Sequence, residues 1–408
     1  MIQRGDDLTT DQLRDLIQDA HLNFLLGAGA SMPFFSLLGD IENLLTSIEA
    51  APADAEVKRF TRARVYASFF REVIAKNQSL LKRSDGSGTI IDSYQAFLQT
   101  LNRLLLRRRS AILNKQVNLF TTNIDLTIEL ASEALQLELN DGFSGRFRPR
   151  FSTSNFGSVI SRRSLQYDNL SEIPTFNLLK LHGSVSWRTL EVSHPGGGTR
   201  SEIRFDGRLS RIARTANALE PLSEQLPPLT SETALTDLLD EVPDPTPDVS
   251  NFLDNYDELA IVNPTKAKFQ QTVLNQNYYD LLRLFSNELE KENTVLFLVG
   301  FSCRDEHIRE LMVRAARVNP TLQVVIFAHS AGSADDIEKE FSGQPITNGN
   351  IRIVEPPVPK DGEQPVRFDL TTINTLFFEP LVPQPTRPAA AQVDINVSMR
   401  PPLVPGDD

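Results

Sequence analysis

Apolar positions along the 408-residue chain change period several times, and each change marks an element. In "TTDQLRDLIQDA", Leu13, Leu16, Ile17 and Ala20 share one stripe, and Thr9 with Gln12 forms a capping box, so a helix is expected there. Leu22 to Leu26 is a short continuous apolar run, which reads as a buried strand. Helical spacing returns at Leu37, Leu38, Ile41, Leu44, Leu45 and Ile48, and continues through Val57–Ile74 and Ile91–Leu113. Further on, "VNLFTTNID", "NLLKLHGSVSW", "ELAIVNP", "NTVLFLVGFSCRDEHIRELM" and "LQVVIFA" each carry a short apolar run, the first followed by a helical pattern through Leu126, Leu130 and Leu135. Strands of this kind separated by helices predict a doubly wound α/β protein, a parallel sheet covered on both faces.

Two stretches break the pattern. From Ala216 to Thr265 there is no Lys or Arg, and residues 216–257 form an acidic, proline-rich stretch that reads as an exposed insertion or linker. Residues 380–408 hold seven prolines and little periodicity, so that tail is expected to be disordered or to pack on a neighbouring subunit. The expected organisation is one domain over residues 1–379 with a helical insertion at 41–113, followed by the tail.

Composition narrows the function. At 40% hydrophobic and 23% charged residues the chain is ordinary for a globular protein. No apolar run reaches the roughly 18 residues a membrane helix needs, and "MIQRGDDLTT" lacks a signal-peptide core, so a cytoplasmic protein is expected. One cysteine, Cys303, excludes an internal disulfide and any zinc site built from several cysteines. The net charge of −12 argues against strong direct nucleic-acid binding by this chain alone. Arg107, Arg108 and Arg109, and the group Arg146, Arg148, Arg150, Arg162 and Arg163, read as solvated faces or subunit contacts.

The candidate chemistry sits at the strand ends. "NFLLGAGAS" leaves a strand through Gly27, Ala28 and Gly29, small residues that would let a phosphate approach the main chain, with a helix expected to follow. The dinucleotide fingerprint is incomplete, because Met32 stands where a third glycine belongs and no phosphate-loop lysine is present. A dehydrogenase or an NTPase is thereby disfavoured. Ligands in open α/β sheets bind beyond the carboxyl ends of the strands, and here those ends read "GAGAS", "TTNID", "LHGS" and "VGFS".

That ordered set resembles the sirtuin family over about Leu22 to Ala328. "GAGAS" is similar to the family's glycine loop, Thr122-Asn123-Ile124-Asp125 to its QNID motif, His182-Gly183 to its catalytic HG, and Gly300-Phe301-Ser302 to its late Gly-Thr-Ser loop. The resemblance implies NAD as substrate. It implies Asn123 and His182 as catalytic residues, and contacts to NAD from Gly27, Ala28, Gly29, Ala30, Ser31, Phe35, Asp125, Gly183, Gly300, Phe301, Ser302 and Asp305. Departures also matter: the four-cysteine zinc module of deacylating sirtuins cannot be built, and "MPFF" replaces a loop that carries Asp and Arg there. Both departures, with "GFSCRDEHI", resemble the zinc-free bacterial branch found in antiphage defence. That branch implies NAD hydrolysis, a homo-oligomer and a hexameric HerA-type ATPase partner. The alternatives are an NAD-dependent protein deacylase and a non-catalytic NAD or ADP-ribose scaffold. Ser302 and Asp305 could equally cap the next helix, and Asn123 the helix after it.

Overall fold

The computed structural model describes residues 2–382, except 6–7, 37–40, 85, 109–112, 194–198, 230–234, 263–275, 345 and 361. Arg109, His194 and nearly all of the proline-rich tail therefore lie outside the described residues.

Eight strands form the main sheet: β1 (Gln3–Gly5), β2 (His21–Leu26), β3 (Gln116–Thr121), β4 (Glu138–Asn140), β5 (Thr175–Lys180), β6 (Thr294–Val299), β7 (Gln323–Phe327) and β8 (Ile351–Val354). Their order is β1-β8-β7-β6-β2-β3-β5-β4, and every neighbouring pair is parallel. Without the edge strands β1 and β4, the order in chain sequence is 3-2-1-4-5-6, the doubly wound arrangement whose switch point lies between β2 and β6. Central strands are buried on both faces. Phe24, Leu26, Phe297 and Val299 belong to one core, while Leu25, Leu296 and Leu298 belong to the other.

Four asparagines set the register of one half of the sheet. Asn23, Asn118, Asn177 and Asn140 are direct partners on β2, β3, β5 and β4. Asn118 Nδ2 donates to Asn23 Oδ1 at 2.8 Å, Asn177 Nδ2 to Asn118 Oδ1 at 2.9 Å, and Asn140 Nδ2 to Asn177 Oδ1 at 3.0 Å. Asn23 Nδ2 then donates across to the Val295 carbonyl on β6. A one-residue slip would break every link and turn each side chain to the other face. Because the strands are parallel and in register, Asn123 and His182, each five residues beyond its ladder asparagine, emerge level with one another.

The expected helix at Thr10–Gln18 forms, with both hydrogen bonds of the Thr9/Gln12 capping box. The helical insertion comprises Ile41–Ala50, Ala55–Phe69, Lys76–Lys82 and Ser87–Arg107, with a wider π-helical turn at Phe70–Ile74. Arg108 is not part of a solvated basic face. Its guanidinium donates to the carbonyls of Ile17 and Ala20, closing the end of the first helix, and burial lowers its pKa.

Three expectations are corrected. Among the described residues "ELAIVNP" adds no strand to the sheet: Ile261 makes an isolated antiparallel bridge to Gly183, closed by Ser184 N to the Ala260 carbonyl and Val262 N to the His182 carbonyl, and the Tyr278 hydroxyl also donates to that Ala260 carbonyl. The acidic stretch is not an exposed linker. It contributes to the helix Ser210–Leu219 and forms Leu235–Asp240 and Ser250–Asp257, burying Leu238, Phe252, Leu253 and Tyr256, and Tyr256 stacks on Tyr66 of the helical insertion at 4.4 Å. Finally, no α-helix directly follows the glycine corner. Ala28–Ser31 is a single 3-10 turn, and the next described helix begins at Ile41.

A four-stranded antiparallel sheet, Trp187–Ser193, Thr199–Phe205, Arg150–Phe151 and Phe143–Ser144, stands beside the main one. Phe143, Phe151 and Trp187 cluster on one face, with Trp187 against Tyr278. Arg188, Arg204 and Arg150 are cross-strand partners on the other, where Glu202 pairs with Arg204 at 2.6 Å.

Asn118→Ala is expected to strand Asn23 Oδ1 and Asn177 Nδ2 in the sheet, lowering unfolding free energy by about 2–4 kcal/mol. Urea denaturation followed by circular dichroism checks this; an unchanged midpoint would show that the ladder carries no stability.

Candidate functional site

The glycine corner turns its bare side toward the protein. A Cβ on Gly27 would sit 2.5 Å from the Gly300 carbonyl oxygen, and one on Gly29 2.9 Å from Gly300 Cα. Gly300 has φ +64°, and a Cβ there would fall 2.1 Å from Ala30 N. The corner's donors are engaged as well: Gly27 N bonds Val299 O, Gly29 N bonds Gly300 O, and Ala30 N bonds Gly27 O. Small residues here let two backbone turns touch at the switch point. The ligand-facing side of the corner is formed by Ala28 and Ser31.

Ser31 begins a buried hydrogen-bonded chain. Its Oγ lies 2.9 Å from the Tyr94 hydroxyl, and it accepts from Asn123 Nδ2 at 3.1 Å. The second proton of that amide goes to the Gly27 carbonyl at 3.1 Å, and Asn123 N is held by Thr121 Oγ1 at 2.9 Å. Both donors of the side chain are thus committed to the frame, which leaves Oδ1, an acceptor, as the atom available to a ligand. Asn123 does not cap the next helix, whose N-cap position is Leu126; Asp125 Oδ1 accepts from Thr127 N, the first N–H of that helix, at 2.9 Å. Tyr94 is fully buried, and that burial, with the Asp125 charge nearby, pushes its phenol above the ordinary tyrosine range.

Behind this tip, the ammonium of Lys180 is buried. It donates to the Asp125 carbonyl and to Ser184 Oγ, and pairs with Glu129 at 2.7 Å. Burial raises the Glu129 carboxyl above its usual range, against the pull of Lys180. The lysine clamps the Asn123–Asp125 tip to the end of β5, and Val185 N to Ile124 O, at 3.0 Å, adds a second tie.

His182 follows β5. Its carbonyl accepts from Val262 N, and its Nε2 lies 3.2 Å from Asp305 Oδ2, both side chains being nearly buried. Asp305 caps the helix Glu306–Val318 through Oδ1 to Ile308 N at 3.3 Å. Gly183 is required by packing: its φ is +80°, and a Cβ would meet the Ala260 carbonyl at 2.3 Å.

One open cleft joins these groups. Ala28, Ser31, Phe35, Asn123, Asp125 and His182 all line it, and Phe69 and Val73 of the helical insertion close the far wall. The rim segment is latched from outside, since Glu72 accepts from Ser36 and Lys76, and Lys76 also donates to the Phe34 carbonyl. Those bonds depress the Glu72 pKa. Among the residues expected to contact NAD, Gly27, Gly29, Ala30, Gly183, Gly300, Phe301, Ser302 and Asp305 are not in the lining. Phe301 is buried in the core and Ser302 is exposed. Spacing did not reveal Tyr94, Glu72 or Lys180, each of which reaches the site from a helix or strand interior. Cys303 is fully buried, which raises its thiol pKa, and among the described residues no group of three His, Cys, Asp or Glu side chains is placed to hold a metal. No described helix is long and apolar enough to cross a membrane.

No family model and no curated protein matches this chain. Among solved structures, one described as "Structural Basis for the Mechanism and Regulation of Sir2 Enzymes" is similar with a TM-score of 0.32 and 14% identity, over 84% of this chain and 91% of that one.

Two substitutions separate the frame from the lining. Tyr94→Phe should lower stability by about 1 kcal/mol and loosen the Ser31–Asn123 bond, seen as a lower thermal midpoint and weaker ligand protection. Gly300→Ala should lose about 3 kcal/mol or more, combining left-handed strain with a backbone clash, and a normal denaturation curve would refute the close contact.

Proposed function

We propose that this protein is an NAD hydrolase, cleaving the N-glycosidic bond to release nicotinamide and ADP-ribose. The observation that carries the reading is that Asn123 and His182, from separate strand tips, line one cleft with Ala28 and Ser31 at the switch point of a doubly wound sheet. The motif resemblance to sirtuins supports it independently of overall shape.

Cleavage of this bond passes through an oxocarbenium-like state, yet the leaving nicotinamide departs from a cationic precursor and needs no acid to protonate it. The remaining task is to place a water at the anomeric carbon and remove its proton. His182, an imidazole whose ring nitrogens can both take up and give up a proton, suits the role of general base, acting on water directly or through a ribose hydroxyl. Asn123 Oδ1 accepts from that water or from a ribose hydroxyl, its orientation fixed by Gly27 and Ser31. Asp125 sits on the same tip, where a nicotinamide carboxamide would need an acceptor. Phe35, Phe69 and Val73 would shield the reacting centre from bulk water. On the same motif resemblance, the enzyme works as a homo-oligomer with a hexameric HerA-type ATPase in antiphage defence, without zinc.

Incubation of purified protein with NAD, alone and with a candidate ATPase, should yield nicotinamide and ADP-ribose without any acylated peptide. Asn123→Ala and His182→Ala should each reduce that yield by about 100-fold or more while leaving the fold intact. Undiminished turnover in both variants, or formation of O-acyl-ADP-ribose only with an acylated peptide, would overturn the reading.

A further inference from the structure

We propose that Asp305 is the positioning residue for His182, holding the ring through Nε2 so that Nδ1 is the nitrogen left to take a proton from the attacking water. The inference rests on the hydrolase reading for its chemistry, but the pairing itself stands on geometry. The turn after β6 carries Asp305 to 3.2 Å from the His182 ring, and the two side chains are only 11% and 15% exposed. The two carboxylate oxygens divide their work: Oδ1 accepts from Ile308 N at the start of a 13-residue helix, and Oδ2 meets the imidazole. A carboxylate pinned at one oxygen by a helix start has little freedom to leave the ring.

An ionised carboxylate only accepts hydrogen bonds, so the ring nitrogen facing it carries the proton and the other carries the lone pair. When water attacks, its oxygen bonds the anomeric carbon and the bond to nicotinamide breaks, the electron pair leaving with the pyridine nitrogen. The water proton passes to Nδ1, and the imidazolium so formed lies against Asp305. Among the described residues, two carboxylates face the ring or its cleft. Asp305 faces it from the turn after β6, and Asp125 lines the same cleft from the tip of β3. Lys180, on the ring's own strand, is turned away toward Glu129 and the Asp125 carbonyl.

Asparagine at 305 separates this role from helix capping, because Asn caps as well as Asp. With Oδ1 still accepting from Ile308 N, the amide presents Nδ2 to the ring, and His182 must adopt the opposite tautomer. Serine at 305 keeps a cap but stops short of the ring. The test is imidazole nitrogen NMR on the full-length chain, with NAD turnover measured in parallel. In the wild type, His182 should carry its proton on Nε2; in Asp305→Asn it should carry it on Nδ1. In Asp305→Ser, which stops short of the ring, the preference for one tautomer should be lost. Turnover should drop by about 100-fold or more in kcat for Asp305→Asn, with KM changed by less than about threefold, and thermal midpoints should stay close to wild type. The same tautomer in wild type and Asp305→Asn would overturn the pairing, as would kcat within about twofold of wild type. Should the wild type release no nicotinamide at all, the hydrolase reading falls, while the NMR comparison still decides whether Asp305 directs the ring.

Discussion

Everything at the centre of this molecule depends on two backbones meeting without side chains between them. The turn leaving β2 and the turn leaving β6 touch through Gly27, Gly29 and Gly300. That contact seats Ser31 on one side of the switch point and Asp305 on the other, and each then reaches a side chain from a further strand: Ser31 meets Asn123 after β3, and Asp305 meets His182 after β5. A methyl group at any of the three glycines would push the two halves of the cleft apart. The small residues are therefore structural at their own positions and functional at one remove.

A second device keeps the tips level. Parallel sheets buried on both faces are held mostly by non-directional apolar contact, which tolerates slippage poorly but does not itself specify a register. The asparagine ladder supplies that directionality inside the sheet, each amide satisfied by its neighbours, so its burial is compensated. Lys180 does comparable work at the strand ends, where an ammonium with three oxygen partners joins β5, the Asn123–Asp125 tip and the following helix.

Much of this was legible from residue order. The central strands read as short apolar runs, and three of the four polar strand ends, at Ala28, Asn123 and His182, reach one cleft, while the Gly300–Ser302 end packs behind it. The glycine corner was legible as a place where side chains are forbidden, but not what forbids them: a bare turn reads the same whether a phosphate or another backbone lies against it. The pairing of His182 with Asp305 spans 123 positions of chain and leaves no local trace. Each ladder asparagine likewise stands alone in its strand, and only strand order and register turn four isolated amides into one device. The acidic stretch misled because proline and charge dominate its composition, while the few residues that anchor it, Leu238, Phe252 and Tyr256, are divided between two short helices.

The lone tryptophan has a use of its own. Trp187 lies five residues beyond His182, buried among Phe143, Phe151 and Tyr278, and Tyr278 bonds the Ala260 carbonyl that also braces Gly183. The indole is thus mechanically linked to the loop that carries the imidazole. The molecule comes with its own optical reporter: any rearrangement of that loop alters the surroundings of a single emitter, so intrinsic fluorescence can follow events in the cleft without a label.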